Sequence, residues 1–174
     1  GPYASKKAYD LLVQSEAGVL SVTGTPDTPS KVGISIADIA TGMYAYSGIL
    51  TALFQREKTA QGGRVEVTML EALGEWMSYP LYYAHFSGVA PPRTGPDHAT
   101  IVPYGRFRTG DGKSVMLGLQ NEREWIVFCE KVLDQPALAK DERYDTNFKR
   151  NERRAEVIAL VDKVFHTLST EQVV

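Results

Sequence analysis

The chain has 174 residues, of which 43% are hydrophobic and 23% charged, so it can bury one sizeable hydrophobic core or two small ones. Its formal net charge of -2 excludes nucleic-acid binding by the chain as a whole, and no apolar run approaches the ~20 residues of a membrane span. The single cysteine, Cys129, excludes an internal disulfide and a thiolate metal cluster, and we interpret it as a core thiol on a predicted helix. Because no basic and apolar leader opens the sequence, we expect a location in the reducing cytoplasm.

The first part of the chain predicts a short helix and then a long one. Residues 9–20 favour the short helix, and a loop rich in Thr and Pro follows over residues 23–31. The long helix carries an apolar stripe at steps of three and four: Ile39, Met43, Tyr46, Leu50 and Leu53. Beside it runs a row of small residues, which indicates that another helix or backbone segment packs very close: Gly42, Ala45, Gly48 and Ala52.

A strand and a further helix are predicted next. Residues 64–69 alternate as a strand should, and residues 70–86 are apolar and aromatic, with a break or kink at Pro80. Helix, strand and helix joined by short connections are typical of an α/β fold. We therefore expect this part to belong to a sheet flanked by helices, a parallel sheet that needs more strands than this piece supplies.

The remainder predicts a small α+β unit. Residues 87–103 are rich in Pro and Gly and are the strongest candidate for a domain boundary. Two strands of a hairpin are predicted over residues 104–108 and 114–119. Asn121 and Asn151 are predicted to cap the two helices that follow.

The end of the chain predicts the start of another helix. Ser169 and Gln172 have the spacing of a capping box, yet the sequence stops two residues later. A domain rarely ends by beginning a helix, so we expect the chain to be part of a longer polypeptide. Its organisation is then a partial large domain over residues 1–86, a connector over 87–103 and a small α+β domain, truncated at its end, over 104–174.

Few motifs of known chemistry are present. The sequence contains no glycine-rich phosphate loop, no nucleophile elbow and no Ser-His-Asp order. The three histidines, His85, His98 and His166, lack metal-ligand spacing, and no metal is expected. We interpret His85 as a packing residue and His166 as a surface or capping residue. His98 lies in the connector, where loops often carry function, and is a candidate site residue.

Asp38, at the start of the long helix, admits two interpretations. Ser35 and Asp38 have the spacing of a capping box, in which Asp38 only satisfies amides at the helix start. The same position faces exposed amides and the positive end of the helix dipole, with Ile36, Ile39 and Met43 expected to wall it. An acid that stays ionised while partly desolvated suits a nucleophile for an acyl carbon. The residues alone favour the structural interpretation.

The segment around Asp38 resembles the core of the class III CoA-transferases, the superfamily of formyl-CoA transferase, carnitine CoA-transferase and α-methylacyl-CoA racemase. The matching block begins at Val32 and reads VGISIADIATGMYAYSGILTALFQREKTAQGGRVEVTMLEAL. It departs from the family pattern at Ala60, where glycine is usual. The likeness extends upstream to residues 8–10 and downstream to HATIVPYGRFRTGDGK, so that it covers nearly the whole chain.

The resemblance implies a Rossmann-like large domain, a small α+β domain and an interlocked homodimer. It implies that Asp38 is the nucleophile, which takes an acyl group from an acyl-CoA as a mixed anhydride and then carries CoA as a thioester. Lys7 and Tyr9 fall on positions that border the CoA in transferases, where Lys7 either neutralises phosphate or lies in solvent. His98 and Thr100 fall in a loop that approaches the acyl site. The substrates are then an acyl-CoA and a small carboxylic acid.

Tyr9 also bears on which reaction the family member catalyses. Racemases carry His before Asp at this point, because α-proton exchange needs a base on each face of the substrate. Phenols are poor bases at neutral pH because their pKa is about 10. The residue therefore favours transfer, and the downstream segment resembles members that use succinyl-CoA and C5 dicarboxylates. Racemisation is one alternative, and an inactive truncated subunit that serves as an interaction module is another. Residues 1–174 alone are expected to show no transferase activity.

Overall fold

The computed structural model describes all residues from Gly1 to Val174, which form two compact units, residues 1–95 and 96–174. The first unit contains helices α1 (Asp10–Glu16), α2 (Val19–Val22), α3 (Ile36–Thr59), α4 (Met69–Trp76) and α5 (Ser78–Ser87). The second contains strands β1 (Tyr104–Arg108) and β2 (Ser114–Gly118), helices α6 (Glu122–Lys131), α7 (Asn147–Glu152), α8 (Arg154–Phe165) and α9 (Thr170–Val173), and a 3-10 helix at Pro136–Lys140. The boundary lies inside the predicted connector, and the assignment of large and small domains stays a prediction. No helix is both long and apolar enough to cross a membrane.

The first unit corrects three local predictions. The strand predicted over residues 64–69 is wrong: residues 61–68 are irregular, because a strand needs a neighbour to pair with and the only sheet is that of the second unit. The predicted helix over residues 9–20 is divided at Gly18, whose φ of 85° is left-handed. The aromatic helix is interrupted at Met77, while Pro80 lies in the first turn of α5, where its missing N–H costs no helical hydrogen bond.

Of the two glycines in the row of small residues of α3, Gly48 permits a close approach as predicted, whereas a methyl group on Gly42 would meet no atom within 4 Å. A methyl group on the Cα of Gly48 would come within 2.7 Å of Cγ1 of Val65. The segment that approaches is thus the irregular stretch before α4. The core of the first unit is small and is formed by Val13, Val19, Ala37 and Leu73.

We expect Gly48→Ala to change the free energy of unfolding little in the parent protein. Alanine gains about 1 kcal/mol of helix propensity over glycine, but its methyl must displace the stiff Val65 side chain. In a Val65→Ala background the obstacle is gone, and the same substitution should stabilise by about 1 kcal/mol. Urea unfolding of the double-mutant cycle measures this difference. Equal effects in both backgrounds would contradict the contact.

The second unit follows its predictions more closely. β1 and β2 pair antiparallel, with Tyr104 opposite Gly118 and Arg108 opposite Ser114, as the predicted hairpin requires. Burial of Cys129 raises the pKa of its thiol to about 11, which confirms its interpretation as a core residue. The hydrophobic core joins β1 to α6 and α8 through Phe107, Trp125, Phe128, Cys129, Val157, Val161 and Phe165.

Helix caps in the second unit were predicted with one error. The side chain of Asn121 accepts a hydrogen bond from the Glu124 amide at 3.1 Å and caps α6 as predicted. The capping box of Ser169 and its partner glutamine is also formed. The prediction that Asn151 caps a helix is wrong. It lies within α7, which is instead capped by Thr146.

Candidate active site

Asp38 lies in the first turn of α3 and is exposed. Its carboxylate has no hydrogen-bond or ion-pair partner in the chain. The expected apolar wall is not formed by this chain, since Ile39 and Met43 are 47% and 54% exposed. The predicted capping box is also absent, because the side chain of Ser35 caps no amide. Asp38 is therefore a free carboxylate at the positive end of a 24-residue helix.

One of the backbone amides at the start of α3 is satisfied from another helix. Oδ1 of Asp10, in the first turn of α1, accepts a hydrogen bond from the backbone N–H of Ala37 at 3.0 Å. Oδ2 of Asp10 accepts from Nε2 of Gln14 at 2.8 Å, and Oε1 of the fully buried Gln14 accepts from the Val32 amide at 2.8 Å. A single carboxylate thus joins the N-termini of two helices and stabilises both. Asp10 takes the capping role that the sequence pattern gave to Asp38.

We expect Asp10→Ala to lower the free energy of unfolding by about 1–2 kcal/mol. It removes the acceptor of the Ala37 amide and leaves Nε2 of the buried Gln14 without its acceptor. Ser35→Ala is the matched control, because Ser35 stands at the N-cap but its side chain bonds nothing there, and we expect a change below ~0.5 kcal/mol. Urea unfolding measures both variants, and faster exchange of the Ala37 amide should accompany only Asp10→Ala. A larger loss for Ser35→Ala would contradict this assignment.

Lys7 and Tyr9 lie on the segment that leads into α1. Tyr9 occupies the N-cap position of α1 and is 68% exposed. Tyr9 directly precedes Asp10, and Asp38 directly follows Ala37. The hydrogen bond between Asp10 and Ala37 therefore holds the segment of Tyr9 beside the segment of Asp38. Lys7 lines a largely apolar groove of about 510 Å³, formed by the residues before α1, one side of α1 and residues 68–71. Neither Tyr9 nor Asp38 lines that groove.

His98 and Thr100 lie together in the second unit, in the irregular loop before β1. The Thr100 amide donates to Nδ1 of His98 at 3.1 Å, and the imidazole ring stands 5.2 Å from the ring of Tyr104. Nδ1 is therefore an acceptor, and Nε2 is the ring nitrogen left for a ligand. Both residues are half-buried.

Of the other two histidines, only His166 matches its interpretation. His85 is exposed, and its ring stands edge-on to that of its exposed neighbour Phe86 at 4.9 Å between ring centroids, so its interpretation as a packing residue is wrong for this chain. The exposed His166 follows α8, where Nδ1 lies 2.6 Å from the Asp162 carbonyl.

The sequence analysis missed Asp10 as a structural residue of the site, since its partner Ala37 lies 27 residues away. The available signal was Asp10 itself, an acidic residue in the first turn of a predicted helix that no local pattern had paired with a donor.

Comparison with known proteins identifies the chain. The family model described as CoA-transferase family III matches residues 1–174. Human succinyl-CoA:glutarate CoA-transferase is 31% identical over 95% of this chain and 37% of its own length. The succinate–glutarate CoA-transferase of Agrobacterium fabrum is 35% identical over 92% of this chain and 40% of its own length. The chain thus spans about two fifths of the length of these curated relatives.

A solved structure confirms the fold class. The CaiB/BaiF family protein of Brucella suis is 30% identical and superposes with a TM-score of 0.77, over 99% of this chain and 46% of its own. The helices of the first unit and the hairpin unit after them are therefore part of an α/β fold. Family match, relatives and fold agree, and the chain belongs to the CoA-transferase family III.

Proposed function

We propose that the protein transfers CoA between an acyl-CoA and a small carboxylic acid, with Asp38 as the nucleophile. The observation that carries this proposal is the state of Asp38: its carboxylate is exposed and unpartnered in the first turn of α3, while Asp10 caps the helix. The structural interpretation of Asp38 therefore loses its basis. A carboxylate that no group of the chain engages is available to attack an acyl carbon.

The proposed chemistry proceeds in four balanced steps. An oxygen of Asp38 attacks the thioester carbonyl, the C–S bond breaks, and CoA leaves as a thiolate, so that the acyl group is joined to Asp38 as a mixed anhydride. The thiolate attacks the aspartyl carbonyl, which releases the donor acid and leaves an aspartyl-CoA thioester. An acceptor carboxylate displaces the thiolate to form a second anhydride. The thiolate then attacks the acceptor's acyl carbon and regenerates Asp38, so the energy of the thioester is conserved throughout.

Substrate class and contacts are further parts of the proposal. The name of the human relative pairs succinyl-CoA with glutarate, and that of the Agrobacterium relative pairs succinate with glutarate. We propose succinyl-CoA as donor and a small dicarboxylic acid as acceptor. Lys7 and Tyr9 would border the CoA, and the groove beside Lys7 supports a role for this residue near an extended ligand. His98 and Thr100 would contact the acyl group, with Nε2 of His98 free to donate a hydrogen bond to a carboxylate. No metal takes part in these steps.

Two other readings lead to different products. A racemase-like enzyme would exchange the α-proton of an acyl-CoA, but the exposed phenol of Tyr9 stands where that reaction needs a base. An interaction module would form no covalent adduct at all. We further propose a cytoplasmic, interlocked homodimer, and we propose that residues 1–174 alone do not turn over.

Trapping the intermediate tests the proposal. The natural gene product would be incubated with succinyl-CoA and then with hydroxylamine, which converts an activated aspartate to a hydroxamate that mass spectrometry locates. We expect modification of Asp38, together with exchange of isotope-labelled succinate into succinyl-CoA. Deuterium exchange at the substrate α-carbon without acyl exchange would support the racemase. Neither signal would support the module and overturn our proposal.

A further inference from the structure

The loop that carries His98 and Thr100 is held in shape mainly by hydrogen bonds from side chains outside it. This loop, residues 98–103, belongs to no helix or strand, so its backbone amides and carbonyls need partners from elsewhere. Asn147, the first residue of α7, supplies two of them. Its Nδ2 donates to the Thr100 carbonyl at 2.8 Å, and its Oδ1 accepts from the Val102 amide at 3.0 Å. One amide side chain thus fixes both sides of Ile101.

Two arginines bind three more carbonyls of the loop. Nη2 of Arg154 donates to the carbonyls of His98 and Ala99, at 2.9 and 3.1 Å. Nε of Arg150 donates to the Val102 carbonyl at 3.0 Å. Charged donors make stronger hydrogen bonds than neutral ones, so these contacts fix the loop firmly.

The three side chains are anchored in the second unit. Asn147 and Arg150 are three residues apart in α7 and lie on one face of that helix, while Arg154 is the first residue of α8. Arg150 is fully buried and stacks on the ring of Trp125 at 4.9 Å. The backbone amide of Asn147 donates to Glu122 of α6 at 2.8 Å. These contacts therefore tie the loop to the packing of α6, α7 and α8.

We propose that Asn147, Arg150 and Arg154 are positioning residues, which preform the 98–103 loop so that His98 and Thr100 meet the carboxylic acid substrate in a fixed geometry. This inference rests on the proposed function, since it assigns the loop to recognition of the acid. Its physical basis is preorganisation: an acid that binds a loop already held by five side-chain hydrogen bonds does not bear the entropic cost of ordering it. The acid does not carry the CoA portion, whose contacts help an acyl-CoA to bind, so its binding depends most on this loop.

Arg154→Ala in the natural gene product is the decisive variant, because Arg154 is only partly buried and its removal spares the core. The assay is exchange of labelled succinate into succinyl-CoA. We expect the KM for succinate to rise about tenfold while kcat stays within about twofold of the parent. Arg153→Ala is the matched control, because the neighbouring arginine pairs with Glu152 at 3.6 Å and does not bond the loop. It should leave both constants unchanged.

A second readout does not depend on catalysis. Imidazole nitrogen signals from histidine-labelled protein report the tautomer of His98, assigned by comparison with His98→Gln. We expect these signals to shift in Arg154→Ala and not in Arg153→Ala, since the hydrogen bond to Nδ1 depends on the shape of the loop. Unchanged His98 signals would show that Arg154 does not hold the loop in shape. Shifted signals with an unchanged KM would overturn its role in recognition, as would a loss confined to kcat. If the parent protein forms no adduct at Asp38, the proposed function itself fails. The His98 signals then still decide whether Arg154 holds the loop in shape.

Discussion

Replacement of Asp38 by asparagine or alanine will lower kcat/KM for CoA transfer at least about 10⁴-fold. The amide of asparagine is not a nucleophile toward a thioester, and alanine has no oxygen at all, so neither variant forms the anhydride. The fold should be preserved, because the carboxylate of Asp38 bonds no group of the chain. Its favourable position near the helix dipole is worth at most about 1 kcal/mol. We therefore expect a large loss of activity with a small change in stability.

The measurement is exchange of labelled succinate into succinyl-CoA, together with urea unfolding of the same preparations. Asp27→Asn is a matched control, because Asp27 is an exposed aspartate in a loop of the same unit, and it should retain full activity. Retention of more than 1% of the parent activity by Asp38→Ala would refute a covalent role. A destabilisation of 2 kcal/mol or more, with activity that follows the folded fraction, would instead restore Asp38 as a structural residue.

The contrast between Asp38 and Asp10 shows how far the sequence could define the site. The spacing of Ser35 and Asp38 satisfied the rule for a capping box, yet the rule describes what a local pattern can do, not what competes with it. Asp10 reaches the amide of Ala37 across 27 residues, and tertiary contacts of that kind leave no trace in local spacing. The proposed role of Asp38 came from the resemblance of a whole block. The physical chemistry of the residues around it favoured the opposite interpretation.

The same distinction explains which elements were predicted. The hairpin at β1 and β2 and the cap at Asn121 depend on turn and capping residues close in sequence, and both were predicted correctly. The alternation of apolar and polar residues over residues 64–69 was equally clear. A strand forms only by hydrogen bonding to a neighbouring strand, however, and this chain offers the segment no such neighbour. The stripe of α3 was also visible, while its exposure was not: Tyr46 is 60% exposed in this chain. Periodicity predicts a face, and only the rest of the structure decides what covers it.

Arg150→Ala will lower the free energy of unfolding of the second unit by about 3–5 kcal/mol. Arg150 is fully buried, and burial lowers the pKa of its guanidinium, which is a sign that desolvation costs free energy. Against this cost stand hydrogen bonds to the carbonyls of Val102 and Tyr144, at 3.0 and 2.9 Å, and the stacking on Trp125. Truncation to alanine leaves a cavity and two buried carbonyls without donors. Both effects destabilise, and the relief of desolvation only partly offsets them.

Arg150→Met separates the cavity from the hydrogen bonds, because methionine fills much of the same volume and keeps contact with the indole. We expect it to cost about half as much as alanine, since the two carbonyls still lose their donors. Trp125 reports on this core directly: the chain has only two tryptophans, so urea unfolding in a Trp76→Phe background follows the second unit alone. Arg153→Ala serves again as control and should change the free energy of unfolding by less than ~0.5 kcal/mol.

Burial of the Arg150 charge can also cost more free energy than its contacts return, and an apolar side chain would then relieve that cost. If Arg150→Met is more stable than the parent, the guanidinium is retained at the expense of stability, and its value to the protein lies in holding the 98–103 loop.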